Sequence, residues 1–137
     1  MSGGPPLAAD LAELVEAAQR LIGRRFTEDR HHVAAALRTT GGRVFAAVNV
    51  EATVGRADVC AEGVAIGMAA SEDALVIDAI VAVDRVGNVL SPCGGCRDLI
   101  SDYSPGARVV VPGEGGPEVT AVLDLLPNKY RSRWRDS

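Results

Sequence analysis

No surplus of positive charge marks this chain: 14 Lys and Arg stand against 18 Asp and Glu, a net charge of −4. That balance argues against a domain that holds duplex DNA or RNA by neutralising phosphates, and it leaves small neutral or anionic substrates open. No apolar run reaches the roughly 18 residues of a membrane span. Met1 to Asp10 lacks the basic stretch, apolar core and small-residue cleavage site of a secretory signal, so a cytoplasmic, reducing compartment is expected. There is no internal repeat and no dominant low-complexity block. Cysteine is scarce and odd in number, at Cys60, Cys93 and Cys96; such a set in a reducing compartment points to metal or catalysis rather than disulfides. What remains is a globular composition, 47 % hydrophobic and 23 % charged over 137 residues. It predicts one domain over 1–137, with loose termini at 1–6 and 131–137.

Apolar residues at Leu11, Leu14, Val15, Ala18 and Ile22 step by three and four, which predicts a helix over 7–22 with one buried stripe. Segments 32–37 and 43–50 flank the turn signal Thr39-Thr40-Gly41-Gly42 and read as a β-hairpin. Residues 59–70 are small and non-alternating, a buried helix. Residues 74–84 (ALVIDAIVAVD) are apolar almost throughout, as expected of a central strand covered on both faces. A turn at 84–88, a helix at 93–103 and short strands at 108–111 and 119–123 follow. The whole predicts an α/β fold, a single sheet of about five strands with helices on its faces.

The chemistry is concentrated in Cys60-Ala61-Glu62 and Pro92-Cys93-Gly94-Gly95-Cys96. Three thiolates suit zinc, and three protein ligands leave the fourth tetrahedral position for water, as in catalytic rather than structural sites. Zinc lowers the pKa of such a water to about 7. A carboxylate two residues from a ligand is placed to move protons rather than to bind metal, which singles out Glu62. If Cys60 opens one helix and Cys93 and Cys96 open another, the sulfurs face two positive helix ends. Those ends offset part of the −1 charge of zinc with three thiolates. The spacing of three puts Cys93 and Cys96 on one face, the intervening glycines allow close backbone approach, and Pro92 suits the helix entry.

This motif pair matches the signature of zinc nucleobase deaminases, Cys/His-x-Glu followed by Pro-Cys-x-x-Cys. From about residue 30 to about 130 the sequence resembles the cytidine deaminase family of the three-cysteine type and, in places, the blasticidin S deaminases. Arg97 follows the second motif as the family usually has it. Asn49-Val50-Glu51 is similar to the family's Asn-x-Glu, which holds the ribose 3′-hydroxyl. Leu125-Leu126-Pro127-Asn128-Lys129-Tyr130 is similar to its closing Leu-Leu-Pro-x-x-Phe, whose aromatic ring comes from a neighbouring subunit.

The resemblance implies a cytidine-deaminase-like mixed sheet, with one zinc per subunit on Cys60, Cys93 and Cys96 and Glu62 transferring protons. Asn49, Glu51, Ala61, His31 and Tyr130 would contact a nucleoside, in a homotetramer with shared sites and no nucleic-acid or membrane partner. The implied reaction is hydrolytic deamination of cytidine or deoxycytidine.

Three departures bear on substrate. His31 stands where cytidine deaminases usually have Phe and blasticidin S deaminases tend to have His. Gly63 replaces an Arg that offsets the thiolate charge, leaving Arg56 or Arg97 to compensate. Ala52 to Arg56 lacks the usual Asn-Ala-Ser-Tyr. A modified aminopyrimidine nucleoside of the blasticidin S kind is therefore the alternative substrate. Two other readings compete: a structural Cys₃His site completed by His31 or His32, and a redox pair at Cys93 and Cys96, which leaves Cys60-Ala61-Glu62 unexplained.

Overall fold

The stripe from Leu11 to Ile22 becomes the buried face of α1 (Ala9–Arg25). The helix runs past the expected end because Ile22 is still anchored in the core and Arg24 and Arg25 sit at the negative helix terminus. The structure is a computed structural model that describes residues 6–74 and 76–132. Of the loose termini expected at 1–6 and 131–137, residues 1–5 and 133–137 lie outside the described residues.

One mixed sheet follows, built from β1 (Ala34–Thr39), β2 (Val44–Val48), β3 (Ile77–Val83), β4 (Val89–Leu90), β5 (Arg108–Val111) and β6 (Glu118–Ala121). The strand order is β2-β1-β3-β5-β6, with β4 added beside β3. β3 and β5 run parallel; the other pairs are antiparallel. The sixth strand, beyond the five or so expected, is the two-residue β4. It forms because the Asp84–Asn88 turn folds it back on the end of β3, pairing Ala82 with Leu90 and Val83 with Val89. In that turn Asp84 Oδ1 accepts from the backbone N–H of Val86 and of Asn88, and Gly87 takes a φ of 92°, which glycine adopts without a Cβ penalty.

Alternation along the strands assigns the two faces. Ala34 and Ala36 of β1 and Ala79, Val81 and Val83 of β3 join the cluster of α1. Leu37, Phe45 and Ala47, with Ile80, face the other way and join Ala65, Ile66 and Ala69 of α2 (Ala61–Ser71) and Ile100 of α3 (Gly94–Tyr103). Covered on both faces, β3 has no polar alternation to show, which is why its sequence is an unbroken apolar run. The sheet thus has α1 on one face and α2 and α3 on the other.

The same register builds one rim. Ala34 pairs with Val48 on one side and with Val83 on the other, so the start of β1 and the ends of β2 and β3 lie together.

Candidate active site

Cys60 is the N-cap of α2 and Cys93 the N-cap of α3, both with extended backbone. Cys96 lies in the first turn of α3 and is buried. The three sulfurs lie within 4.8 Å of one another. A tetrahedral ion with Zn–S bonds of about 2.3 Å needs sulfurs about 3.8 Å apart, so the donor set and spacing fit a single zinc. Among the described residues the cluster contains no imidazole. His31 Nδ1 lies 2.8 Å from the Asn49 carbonyl oxygen and His32 Nε2 lies 3.1 Å from Glu51, so neither completes a Cys₃His site.

Glu62 occupies the first turn of α2 on the helix's buried stripe, with Ala65, Ile66 and Ala69, and is 6 % exposed. Burial pushes its carboxyl above the ordinary carboxylate range. Burial, with the Glu62 charge next, also pushes up the Cys96 thiol, and burial pushes up that of Cys60. Cys93 is pulled down, chiefly by the Cys96 backbone N–H that donates to its sulfur at 3.5 Å. A bound metal deprotonates coordinating thiols outright, and the aligned amides of α2 and α3 favour the resulting negative charge.

Arg97 fixes the loop that delivers Cys93. Its Nε donates to the Pro92 carbonyl oxygen at 2.8 Å, one terminal nitrogen to Ser91 Oγ at 2.9 Å, and the other to the Leu125 carbonyl oxygen at 3.3 Å. At Gly63 an added Cβ would stand 3.3 Å from Val59 Cγ1 and 3.9 Å from Leu99 Cδ2, so the first carbon of any side chain there crowds the exposed Val59 side chain and makes ordinary contact with Leu99.

Beside the cluster opens a cavity of about 410 Å³, lined among others by Asn49, Glu51, Asp58, Ala61, Glu62, Leu90 and Ser91 with Cys60 and Cys93. Its charged side chains are carboxylates: among the described residues the lining contains no lysine or arginine. Asn49 continues the chain just beyond β2, and its amide is fully oriented. Oδ1 accepts from the backbone N–H of His32 at 2.8 Å and of Val33 at 3.0 Å, which leaves Nδ2 to donate to Glu51 Oε2 at 3.2 Å.

Two expected contacts stand elsewhere. His31 is not among the lining residues. Tyr130 is 82 % exposed and borders a separate groove with Asp98, Asp102 and Lys129. Two residues of the site escaped the sequence reading. Asp58 lines the cavity and accepts from the Ala52 backbone N–H at 2.6 Å. His32, in the sequence only a candidate fourth metal ligand, pairs with Glu51 instead. The adjacent pair His31-His32 was the available signal, but only the strand register says which ring faces Glu51.

Residues 9–112 match the family described as the cytidine and deoxycytidylate deaminase zinc-binding region. The chain is 44 % identical over 126 residues to the blasticidin-S deaminase of Bacillus cereus, covering 86 % of this chain and 90 % of that protein. It is 31 % identical over 117 residues to the cytidine deaminase of Halalkalibacterium halodurans, covering 84 % and 89 %. The crystal structure of cytidine deaminase from Mycobacterium tuberculosis superposes with a TM-score of 0.76 at 26 % identity, over 91 % of this chain and 100 % of that one.

Proposed function

The chain belongs to the cytidine and deoxycytidylate deaminase family, and on that premise we propose that it hydrolyses cytidine or deoxycytidine to the uracil nucleoside and ammonia. The observation that carries the reading is the pairing of three clustered sulfurs with a buried carboxyl in the first turn of α2, two residues past Cys60. Cys60, Cys93 and Cys96 hold the zinc in this proposal. When bound, the metal supplies a strong nucleophile from water at neutral pH. Glu62 takes one proton of the attacking water and passes it to the ring nitrogen as the C4–O bond forms, then takes the remaining proton of the new C4 hydroxyl and delivers it to the amine as the C4–N bond breaks and ammonia leaves. Its burial and raised affinity for a proton suit a group that must both accept and return one near neutrality.

The Asn49 amide has a second N–H to offer, and Glu51 has Oε1; we place the sugar there. Ala61 forms the wall beside the ring, and His31 acts through the Asn49 carbonyl that it steadies. We further propose a homotetramer in the cytoplasm. An exposed Tyr130 that does not line its own pocket supports a ring that serves a neighbour. Three free thiols support a reducing compartment. No described helix is long and apolar enough to cross a membrane.

A modified aminopyrimidine nucleoside is the second reading, favoured by the Bacillus cereus relative and by the residues at 52–56. The all-acidic lining disfavours a phosphorylated substrate in either case. Zinc-loaded protein should release ammonia from cytidine, deoxycytidine or blasticidin S. Deoxycytidylate should be at least about 100-fold poorer in kcat/KM, since like charges at a site cost several kcal/mol. Release from none of the nucleosides would end the proposal.

A further inference from the structure

Asn49 and Glu51 line the cavity, and His32, outside its lining, joins them in one connected cluster. The Asn49 Oδ1 takes the His32 backbone N–H, the Asn49 Nδ2 donates to Glu51 Oε2, and His32 Nε2 stands 3.1 Å from that same oxygen. A carboxylate offers no proton, so this 3.1 Å approach is attractive in the forms of His32 that carry one on Nε2. Behind it the His32 ring meets Phe26 edge to face, centroids 5.7 Å apart at 74°, and the Arg85 guanidinium covers Phe26 at 5.4 Å. The imidazole is therefore braced from the rear while it grips Glu51 in front. Both grips fall on Oε2. Among the described residues no hydrogen bond engages Oε1, which remains available as an acceptor.

We propose that His32 is a positioning residue for the deamination, holding Glu51 so that Oε1 faces the sugar's 3′-hydroxyl and thereby setting the preference for nucleosides that carry it. This rests on the reading of the site given above. A side chain free to turn would meet the hydroxyl in a minority of its rotamers, whereas a braced one presents its acceptor ready-made. His32 touches neither the sulfurs nor Glu62 in this role, so its effect belongs in binding rather than in the chemical step.

The test uses zinc-loaded, full-length protein with deoxycytidine and 2′,3′-dideoxycytidine as paired substrates. His32→Phe keeps a ring against Phe26 and loses the donor; His32→Gln keeps a donor. His32→Phe should raise KM for deoxycytidine about 10-fold with kcat within about twofold, and should leave KM for the dideoxynucleoside unchanged. His32→Gln should bring KM back to within about threefold of wild type. His32→Asn, whose shorter amide falls short of Glu51, is a second donor-loss variant with the same expectation as Phe, in case the larger ring is not tolerated. Zinc content and Tm are measured alongside. An unchanged KM for deoxycytidine in the donor-loss variants overturns the proposal, as does an equal rise for both substrates. If wild type deaminates and Glu62→Gln silences it while His32→Phe behaves as wild type, only the role of His32 falls. If wild type releases no ammonia at all, the functional reading falls and takes this one with it.

Discussion

Replacing Asn49 separates its work in the fold from its work at the site. In Asn49→Ala the backbone N–H groups of His32 and Val33 lose the oxygen that now accepts them at 2.8 and 3.0 Å, and Glu51 loses a donor at 3.2 Å. A polar group left without a partner costs about 1–3 kcal/mol when buried, and a made hydrogen bond is worth about 1. All three contacts are only part-buried, so water recovers some of the loss, and about 2–4 kcal/mol in total is a fair estimate. For a chain of this length each kcal/mol moves Tm by about 3 °C, giving a drop of about 6–12 °C. Asn49→Asp keeps the acceptor for both N–H groups but turns a carboxylate toward Glu51. It should melt closer to wild type than the alanine variant while raising KM at least as much. Calorimetry at fixed protein and zinc concentration, because a bound ion shifts Tm by mass action, with KM measured in parallel, makes the comparison. If Asn49→Ala melted with wild type while KM rose, the two main-chain bonds would contribute nothing and Asn49 would be a substrate ligand alone.

Glu62→Gln should keep its zinc, measured by metal analysis, and lose about 10²–10⁴-fold in kcat; near-full turnover would remove Glu62 from the mechanism. Leu37 is fully buried against α2, so Leu37→Ala should lower stability by about 2–5 kcal/mol with an unchanged denaturant slope in urea. Asp10 hydrogen-bonds Arg108 at 3.2 Å, which holds its carboxyl below the usual 3.8. A lowered native pKa stabilises above the unfolded value and fades as pH falls through the native one. The Tm gap between wild type and Asp10→Asn should therefore be present at neutral pH and close below about pH 3.8; a gap that widens in acid would reverse the assignment.

Local signals were readable and relational ones were not. Cys60-Ala61-Glu62 and the Cys93–Cys96 pair carry their meaning within a turn of helix, so their chemistry was legible before any fold. The two-faced burial of β3 was legible as well, because covering a strand on both sides erases its alternation. β4 has no periodicity of its own and exists only as the return of the Asp84 turn. The substrate-binding reading of Asn49 was legible from its motif, but its second duty was not: the same amide puts its oxygen on the backbone and its nitrogen toward Glu51. The partner of His32 depends on how β1 and β2 align, since a slip of one residue exchanges every side chain between faces. Tyr130 stands outside its own chain's cavity, and what a ring does in another subunit is not written in the spacing of one.

The sulfurs come from two helices with the whole of β3 between them. A chain not yet folded offers the paired Cys93 and Cys96, three residues apart, but must close a long loop to bring in Cys60, and that closure becomes cheap only once the middle strand is seated. Full capture of the ion is thus a late event that reports a finished central sheet. Stripping the metal withdraws a brace between α2 and α3 while leaving the apolar cluster beneath them intact, so the damage should begin at the helix mouths and spread inward.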